Sequence, residues 1–595
     1  MSPITIISKA IISKTVISKT AIATIALVAL LFSGCQQTPP TLGTPQPLAQ
    51  PAIASAHPLA TKAGMEILAK GGNAFDAAIA VASVLGVVEP YSAGIGGGGF
   101  WLLHRASDGK EVMIDAREKA PLAATHDMYV DDQGKVNRDL AVNGPLSAGI
   151  PGQPAAFDHI AKHYGKLELK DTLASAIGHA EQGFQVDRVY LKLVGFRDKV
   201  LSRFPASRST FLNDTRTSGT INSNTLTTDS IITQQNLANT LRALAANGRD
   251  GFYLGPIAEK LVAGVSQAGG IWQLADLSEY NIVERPPITF TYNNADTQVK
   301  VISAPPPSSG GIALAEMFNM LEVMKYTSLD PIGKTHVLVE VMRRAYRDRA
   351  EHLGDSDFHP VPIAMLTDPQ HAKKLTQSIS LDKATASNTL GKPMGNHSGT
   401  HTTHLSVIDK DGNYVSATLS INLPFGSGFT VPGTGVLLNN EMDDFSAQPG
   451  SPNAYGLVGS HANAIEPGKR PLSSMTPTFA EFTNIQGKQI AILGTPGGSR
   501  IITMVFLGLL EAIDGNPTVD WVSRNRFHHQ YLPDVIQIEP NTFSAMEIEQ
   551  LQQRGHTLKP VGRRYGNMQA ILWNQDTGKV TAASDPRGVG QASVQ

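Results

Sequence analysis

The sequence from Thr403 to Asn422 predicts a strand, a tight turn and a second strand. This stretch limits the possible folds more than any other. The turn contains Asp411-Gly412, a pair typical of short hairpin connections. Side chains alternate along a strand, so the second strand has one apolar face and one face of hydroxyl and amide groups. A hairpin that faces solvent more usually carries Lys and Glu there. We therefore predict that this polar face contacts something specific.

The composition excludes one class of partner. With 49 basic and 51 acidic residues the formal charge is −2, so there is no cationic excess to bind nucleic acid. A hydrophobic content of 41% supplies a large core for the 595 residues. A chain of this length holds either several domains or a single catalytic unit of packed layers.

The first residues have the pattern of a secretory signal peptide. Lys9, Lys14 and Lys19 precede an apolar run over residues 21–32. This run is too short to cross a bilayer as a helix, but it suits the apolar region of a signal peptide. We therefore predict that residues 1–35 direct export, and that the protein is periplasmic.

Cys35 is the single cysteine of the chain, and it comes directly after the apolar run. The preceding residues resemble a bacterial lipoprotein cleavage box, which predicts lipidation of Cys35 and anchoring to the outer membrane. A cleaved, soluble periplasmic form is the alternative. Residues 36–54 are rich in Pro, Gln and Thr, which predicts an extended tether.

Several stretches predict regular elements in the rest of the chain. Asn73 is placed to cap a helix that has Asp76 in its first turn. Residues 155–183 and 335–353 have helical periodicity, whereas residues 367–401 are polar and aperiodic and are expected to be mobile. Residues 489–493 predict an apolar strand, which is followed by a glycine turn and by a helix from Ser499. This arrangement would direct backbone N–H groups to one point, as in an anion site.

Four strings, taken in order, resemble the γ-glutamyltransferase family, which belongs to the N-terminal nucleophile hydrolases. They are residues 402–407, 437–445, 469–475 and 496–500. The resemblance extends over residues 55–587. It implies an α/β (α+β) fold, a four-layer αββα sandwich, built from a large subunit (55–401) and a small catalytic subunit (402–595) that the precursor forms by cutting itself. The two fragments would remain together as a heterodimer.

Thr402 has the chemistry that such a cut requires. Inside a chain its hydroxyl has no base of its own. Once the bond between His401 and Thr402 is cut, Thr402 gains an α-amine with a pKa of about 7.7–8, close to its own Oγ. The same Oγ can first attack the carbonyl of His401, and water then opens the resulting ester. The alternative reading is that Thr402 only begins a strand.

The resemblance also assigns roles to other residues. It implies that Thr403 and Ser420 position the nucleophile and that Gly497 and Gly498 bind the oxyanion. Arg117, Ser473 and Ser474 would recognise the donor's α-carboxylate, and Asn422, Glu441 and Asp444 would recognise its α-ammonium. Tyr455, within residues 446–458, would belong to a lid over the pocket.

The sequence therefore predicts a self-processing γ-glutamyltransferase and glutathione hydrolase. Its substrates would be glutathione and related γ-glutamyl compounds, with water, amino acids or dipeptides as acceptors. Neither a metal nor an organic cofactor is expected; the adjacent His528 and His529 would point to opposite faces of a strand and cannot easily share an ion. Two alternatives stay open: an acylase for glutaryl or cephalosporin side chains, and an uncleaved surface lipoprotein used for binding.

Overall fold

The computed structural model describes residues 48–213, 226–294, 297–390, 402–447, 457 and 459–595, and these belong to one unit, Pro47–Gln595. Cys35, His401 and Tyr455 lie outside the described residues. No helix of the described part has the length and apolar character needed to cross a membrane.

The described strands are numbered in chain order. They are β1 (Ala52–Ser55), β2 (Gly98–Arg105), β3 (Lys110–Ala116), β4 (Phe184–Gln185), β5 (Ile231–Ile232), β6 (Val283–Arg285), β7 (Ile288–Asn294), β8 (Thr297–Ser303), β9 (Thr403–Ile408), β10 (Tyr414–Ser420), β11 (Thr478–Asn484), β12 (Gly487–Gly494), β13 (Phe527–His528), β14 (Ile536–Ile538), β15 (Leu558–Pro560), β16 (Gln569–Asn574), β17 (Val580–Ser584) and β18 (Gln591–Val594).

The described α-helices are numbered in the same way. They are α1 (Pro58–Ala69), α2 (Ala74–Val88), α3 (Arg138–Val142), α4 (Gln153–His163), α5 (Leu169–Gln182), α6 (Arg188–Leu201), α7 (Pro205–Phe211), α8 (Gln235–Asn247), α9 (Asp250–Tyr253), α10 (Gly255–Gln267), α11 (Leu274–Ser278), α12 (Gly310–Val323), α13 (Pro331–His352), α14 (Ile363–Leu366), α15 (Pro369–Thr376), α16 (Ile501–Ile513), α17 (Thr518–Ser523) and α18 (Ala545–Gln553).

Two large antiparallel sheets form the centre of the molecule. One has seven strands in the order β18-β1-β9-β10-β2-β3-β6, and the other has six in the order β17-β16-β12-β11-β8-β7. Both sheets combine strands that precede Thr402 with strands that follow it. In the first sheet β1 lies between β9 and β18, and β2 pairs with β10. In the second, β8 pairs with β11. The two predicted fragments therefore share both sheets.

Each face of the seven-stranded sheet enters a different core. Trp101 and Leu103 pack with the residues of α1 and α2 in one core. Phe100 and Leu102, which point the other way, pack with the six-stranded sheet and with α12, α13 and α16 in the second core. The layers therefore follow one another as helices, sheet, sheet and helices. This arrangement confirms the predicted αββα sandwich.

The predicted polar face of β10 lies between the two sheets. Ser416 Oγ donates to the carbonyl of Leu493 at 3.0 Å and accepts from the backbone N–H of Thr478 at 3.1 Å. Thr418 Oγ1 lies 2.9 Å from Nδ1 of the buried His404. Ser416 therefore joins one sheet to the other, whereas Thr418 contacts the neighbouring strand of its own sheet. Both contacts satisfy a buried hydroxyl, which requires a hydrogen-bond partner.

The folded part begins earlier in the chain than the sequence predicts. Residues 36–54 read as a tether, but Ala52–Ser55 form β1, and Ala52 and Ala54 are fully buried. Small apolar side chains fit between two packed layers, so these residues join the sheet instead of extending from it. The extended tether is therefore wrong for its last residues.

Two helical predictions also need correction. The predicted helix over 155–183 is two helices, α4 and α5, with Gly165 between them. Residues 367–401 were expected to lack regular structure, but α15 occupies part of that stretch. Asp368 caps this helix by accepting from the backbone N–H of Gln370, and Pro369 is its first residue.

Candidate active site

Thr402 lies directly before β9 and is 5% exposed. Its Oγ1 is 3.5 Å from Ser420 Oγ, at the end of the neighbouring strand β10. The backbone N–H of Asn422 donates to the same Ser420 Oγ at 2.8 Å. The structure therefore brings together Thr402, Ser420 and Asn422 at one end of the hairpin.

The turn at the other end of the hairpin is fixed by Asp409. One oxygen of its carboxylate accepts from the backbone N–H groups of Asp411 and Asn413, at 2.9 and 3.0 Å. The other accepts from the backbone N–H of Ala74 at 2.9 Å, at the start of α2. A carboxylate at a helix N-terminus satisfies an otherwise unpaired donor and a positive partial charge. These contacts lock the strand that follows Thr402 against α2.

Thr403 has a different partner from the one that the sequence predicts. It was expected to orient Thr402, but its Oγ1 donates to Glu89 Oε2 at 2.9 Å. Neighbouring side chains in a strand point to opposite faces, so Thr403 faces α2 and the loop that follows it. Tyr91 also donates to Glu89, at 3.2 Å. Burial raises the pKa of Glu89 to about 7, although both hydroxyl donors oppose this shift.

Arg117 is the centre of a buried ion cluster that contains two of the predicted ammonium ligands. Its Nη2 is 2.5 Å from Asp444 Oδ2, and its Nη1 is 2.8 Å from Glu441 Oε2 and 3.4 Å from Glu118 Oε2. Asn422 Nδ2 donates to the carbonyl of Asn440 at 2.8 Å, which links the end of β10 to the turn that carries Glu441 and Asp444.

The ion cluster has three carboxylates for one guanidinium. Burial lowers the pKa of Arg117, but Glu441 and Asp444 outweigh it and hold that pKa above its ordinary value. Burial raises the pKa of Glu441 to about 7, against the opposing effect of Arg117. Burial, and then the charge of Glu441, raise the pKa of Glu118 well above its usual range. Burial therefore favours the protonated forms of Glu118 and Glu441 over their ionised forms.

Ser473 and Ser474 lie beside this cluster. The backbone N–H of Ser473 donates to the carbonyl of Pro307 at 2.8 Å, and its Oγ accepts from the backbone N–H of Met475 at 3.1 Å. Ser474 Oγ accepts from Arg349 Nη2 at 3.3 Å.

Arg349, on α13, is a residue of this site that the sequence reasoning missed. It is 5% exposed, and its Nε donates to Ser309 Oγ at 3.0 Å. Among the described residues it forms no ion pair, and burial lowers its pKa to about 10. The sequence holds no distinct signal for it, because Arg349 is one of several arginines in a helix that also carries Asp348 and Glu351.

Gly497 and Gly498 form the glycine turn between β12 and α16. Their φ angles are 152° and 58°, in the region that disfavours residues with a Cβ. Gly497 lines a cavity on one side of Thr402, and Gly498 lines a cavity on the other side. The turn therefore borders both of the cavities that Thr402 lines.

Thr402 is shared by two cavities. The smaller has a volume of about 20 Å³, and the larger about 160 Å³. The smaller is lined by the predicted recognition residues Arg117, Asn422, Asp444, Ser473 and Ser474, together with Arg349 and Ser420. A nucleophile placed here would border a small polar pocket and a larger cleft.

His528 and His529 are buried and have separate partners. His528 Nδ1 is 2.8 Å from Thr503 Oγ1, and its Nε2 is 2.9 Å from Gln530 Oε1. His529 Nε2 is 3.1 Å from Asp534 Oδ1. The two rings thus contact different neighbours.

Comparisons with known proteins agree with this geometry. A family model described as Gamma-glutamyltranspeptidase matches residues 60–595. The chain is 41% identical over 506 residues to a glutathione hydrolase proenzyme of Pseudomonas sp. (strain A14), covering 83% of this chain and 85% of the relative. It is 39% identical over 543 residues to the glutathione hydrolase proenzyme of Escherichia coli (strain K12), covering 90% of each.

A solved structure gives a similar result. The cephalosporin acylase from Bacillus halodurans superposes with a TM-score of 0.79 at 27% identity, covering 94% of this chain and 99% of that protein. The matches in sequence and structure extend over nearly the whole chain. The chain therefore belongs to the gamma-glutamyltranspeptidase family.

Proposed function

We propose that this protein is a self-processing γ-glutamyltransferase and glutathione hydrolase in which Thr402 is the nucleophile. The position of Thr402 between two cavities, one of which contains a buried ion cluster, carries the proposal. The γ-glutamyl group binds at the small cavity, which has to widen on binding because about 20 Å³ holds only about one water molecule. The leaving amine departs through the large cavity. The names of the similar proteins from Pseudomonas and Escherichia coli support the same reaction.

Cleavage before Thr402 prepares the nucleophile. The free α-amine has a pKa of about 7.7–8 and can accept the proton of the Thr402 hydroxyl near neutral pH. Ser420, 3.5 Å from Thr402 Oγ1, holds the hydroxyl in position. The hydroxyl attacks the γ-carbonyl of the donor, and the amine leaves with the proton. Backbone N–H groups at Gly497 and Gly498 stabilise the oxyanion, which is worth about 2.7–4 kcal/mol for each donor.

The donor's two charged groups are recognised in the small cavity. Its α-ammonium binds Asp444 and Asn422, which line this cavity, and Glu441, which does not line it but belongs to the same ion cluster. Its α-carboxylate binds Arg117, Ser473 and Ser474. Arg349 contributes a second positive charge beside Ser474. Both charges of the donor thereby obtain partners of opposite sign in a buried site, where an unpaired charge is costly.

Cleavage is tested by intact mass and N-terminal sequencing of the wild type and of Thr402→Ala. The expected wild-type product is a small fragment that begins Thr402-Thr403-His404, and the variant should remain one chain. Thr402→Ser serves as the conservative control, and it should still cleave because it keeps the hydroxyl. An intact wild-type chain would contradict the proposal and favour a binding lipoprotein. Cleavage of Thr402→Ala at the same bond would contradict the role of Thr402 as the nucleophile.

An acylase for glutaryl or cephalosporin side chains is the second candidate, because the similar solved structure is a cephalosporin acylase. A glutaryl group lacks the α-ammonium, so it would leave Glu441 and Asp444 without a cationic ligand. A comparison of γ-glutamyl and glutaryl anilides separates the two functions. A higher kcat/KM for the glutaryl compound would support the acylase.

Export and lipid attachment at Cys35 belong to the same proposal. The sequence before Cys35 and the absence of Asp after it favour the outer membrane. Cell fractionation of the wild type and Cys35→Ala tests this. We expect the wild type in the membrane fraction and the variant outside it, whereas an unchanged distribution would favour a soluble periplasmic protein.

A further inference from the structure

The larger cavity beside Thr402, which we call the basic cleft, has a strongly positive lining. Its cationic residues come from α6 and from two loops near the end of the chain, and the one carboxylate among the described lining residues is Glu89. The cations are Arg188, Lys192, Arg563, Arg564 and Arg587. Like charges gathered around a concave surface raise the local concentration of ligands of opposite charge.

Not all of these cations are available. Arg587 pairs with Glu539 at 2.5 Å and with Asp585 at 3.1 Å, so its charge is neutralised. Arg188 Nη2 donates to the carbonyl of Gly588, which leaves the charge of Arg188 in place. Asp187 also lies at the start of α6, where it accepts from the first backbone N–H groups of the helix.

A net positive charge remains at the mouth of the cleft. Arg188 and Lys192 are one helical turn apart on α6, so they share a face, and both are exposed. Arg563 and Arg564 are exposed on the opposite loop. Among the described residues, Arg188, Lys192 and Arg564 form no ion pair with a carboxylate.

The inner end of the cleft holds a carboxyl group instead of a cation. Glu89 is 3% exposed and lines the cleft together with Thr402. Its carboxylate is held by Thr403 and Tyr91. A ligand with an amine at one end and carboxylates at the other would therefore fit with the amine next to Thr402 and the carboxylates among the cations.

We propose that the basic cleft selects acidic acceptors, meaning amino acids or short peptides that carry an additional carboxylate beyond the one at their C-terminus. This rests on the proposed transferase function and specifies its acceptor class. The amine nitrogen attacks the γ-glutamyl ester on Thr402, the C–N bond forms, and the C–Oγ bond breaks. The amine proton passes to the α-amine of Thr402 and then to Oγ.

Acceptor competition tests the proposal, with γ-glutamyl anilide as donor. The acceptors are Gly-Glu, Gly-Gln and Gly-Lys, and transfer to each is divided by the donor hydrolysis rate of the same sample. We expect the order Gly-Glu, Gly-Gln, Gly-Lys, with a difference of about five-fold between the first two at low salt. The difference should shrink as salt is added, because exposed charges are screened.

Charge-reversal variants test which residues cause the preference for Gly-Glu. Lys192→Glu and Arg564→Glu should each remove the preference for Gly-Glu over Gly-Gln. Lys199→Glu is the matched control, because Lys199 is exposed on the same helix but does not line the cleft. It should keep the preference.

The possible outcomes are distinct. Equal use of the three acceptors by the wild type, or the same loss in Lys192→Glu and Lys199→Glu, would overturn the acceptor proposal and leave the transferase intact. A wild type that cleaves itself but does not hydrolyse the donor would overturn both proposals.

Discussion

At the scale of single residues, the candidate site is defined by the charges that it buries. Arg117 has carboxylates on several sides, whereas Arg349 has only hydroxyl partners among its hydrogen bonds. A buried cation without a carboxylate partner reduces stability unless a ligand supplies the negative charge. An anionic ligand would therefore stabilise the buried charge of Arg349 more than that of Arg117.

Replacing Arg349 by Gln should separate function from stability. We expect kcat/KM for γ-glutamyl anilide to fall by about 10- to 100-fold, because a charge-assisted hydrogen bond is lost. A 4-aminobutyryl anilide, which lacks the α-carboxylate, should show no such loss. The melting temperature should stay the same or rise, since a lone buried charge is removed.

Arg344→Gln is the contrasting variant on the same helix. Arg344 Nη1 is 2.5 Å from Glu340 Oε2, so this change removes an ion-pair partner of a buried carboxylate and should lower the melting temperature. It should not alter the discrimination between the two anilides. Equal losses for both anilides in Arg349→Gln would contradict the assigned role.

The pKa of Glu441 predicts a pH dependence of donor binding. Because burial raises this pKa to about 7, Glu441 loses its negative charge as the pH falls through that value. The donor's ammonium then loses a partner, so kcat/KM for γ-glutamyl anilide should decrease below about pH 7. The ratio to glutaryl anilide isolates this effect, since the α-amine of Thr402 acts on both donors.

Glu441→Gln is the control for this titration. It should make the ratio of the two donors independent of pH between about pH 6 and pH 8. A flat ratio already in the wild type would show that Glu441 does not contact the ammonium.

The sequence predicted some of these residues and missed others for a physical reason. Glu441 and Asp444 lie in one of the four strings that carry the family resemblance, whereas Arg117 lies outside those strings and was assigned through the resemblance as a whole. The structure gathers all three in one cluster. Arg349 and Glu89 come from helices and loops far away in the chain, so only packing brings them close to Thr402. Thr403 was assigned the wrong partner, because strand alternation was not applied to it.

At the scale of elements, the β9–β10 hairpin is held by its turn as well as by its strands. Asp409 connects both ends of the turn to the start of α2, and its carboxylate is 3% exposed. The position of Thr402 at the other end of β9 depends on this attachment.

Asp409→Ala should therefore loosen the hairpin. Loss of a buried charged acceptor with several N–H donors should reduce the free energy of unfolding by about 3 kcal/mol. The measurement is the urea midpoint in the uncleaved Thr402→Ala background. Asp411→Ala is the control, since Asp411 is exposed and its one ion pair within the described part of the chain is with Lys166. Equal effects of the two changes would contradict this account.

The sequence correctly predicted helices whose ends carry clear capping residues. The cap at Asn73 is confirmed as a capping box with Asp76, and residues 335–353 lie largely within α13. Periodicity alone did not reveal the break between α4 and α5, since apolar spacing continues across it. α15 was missed because its cap signal is followed by few apolar residues.

At the scale of the whole molecule, the segments before and after the proposed cut contribute strands to the same sheets. β1 precedes the cut and lies between β9 and β18, which follow it. The sequence could predict the αββα class through family resemblance. It could not give this strand order, because pairing between strands hundreds of residues apart leaves no local pattern.

Cleavage should therefore leave the two fragments together. Separation would expose strand edges in both large sheets, and both apolar cores contain residues from each side of the cut. Size-exclusion chromatography of the mature protein in about 1 M salt should give one peak that contains both fragments, since salt screens ion pairs but not apolar contacts. Elution of the small fragment alone would contradict this expectation.

Because the strands of the two fragments are interleaved, cleavage also changes the number of chains into which the native protein unfolds. A precursor unfolds to one chain, so its melting temperature does not depend on protein concentration. A mature protein with both sheets shared between fragments unfolds to two chains, and its melting temperature must rise with concentration by mass action. Cutting one peptide bond would thus leave the native contacts almost unchanged, while dilution would become a destabilising condition for the enzyme.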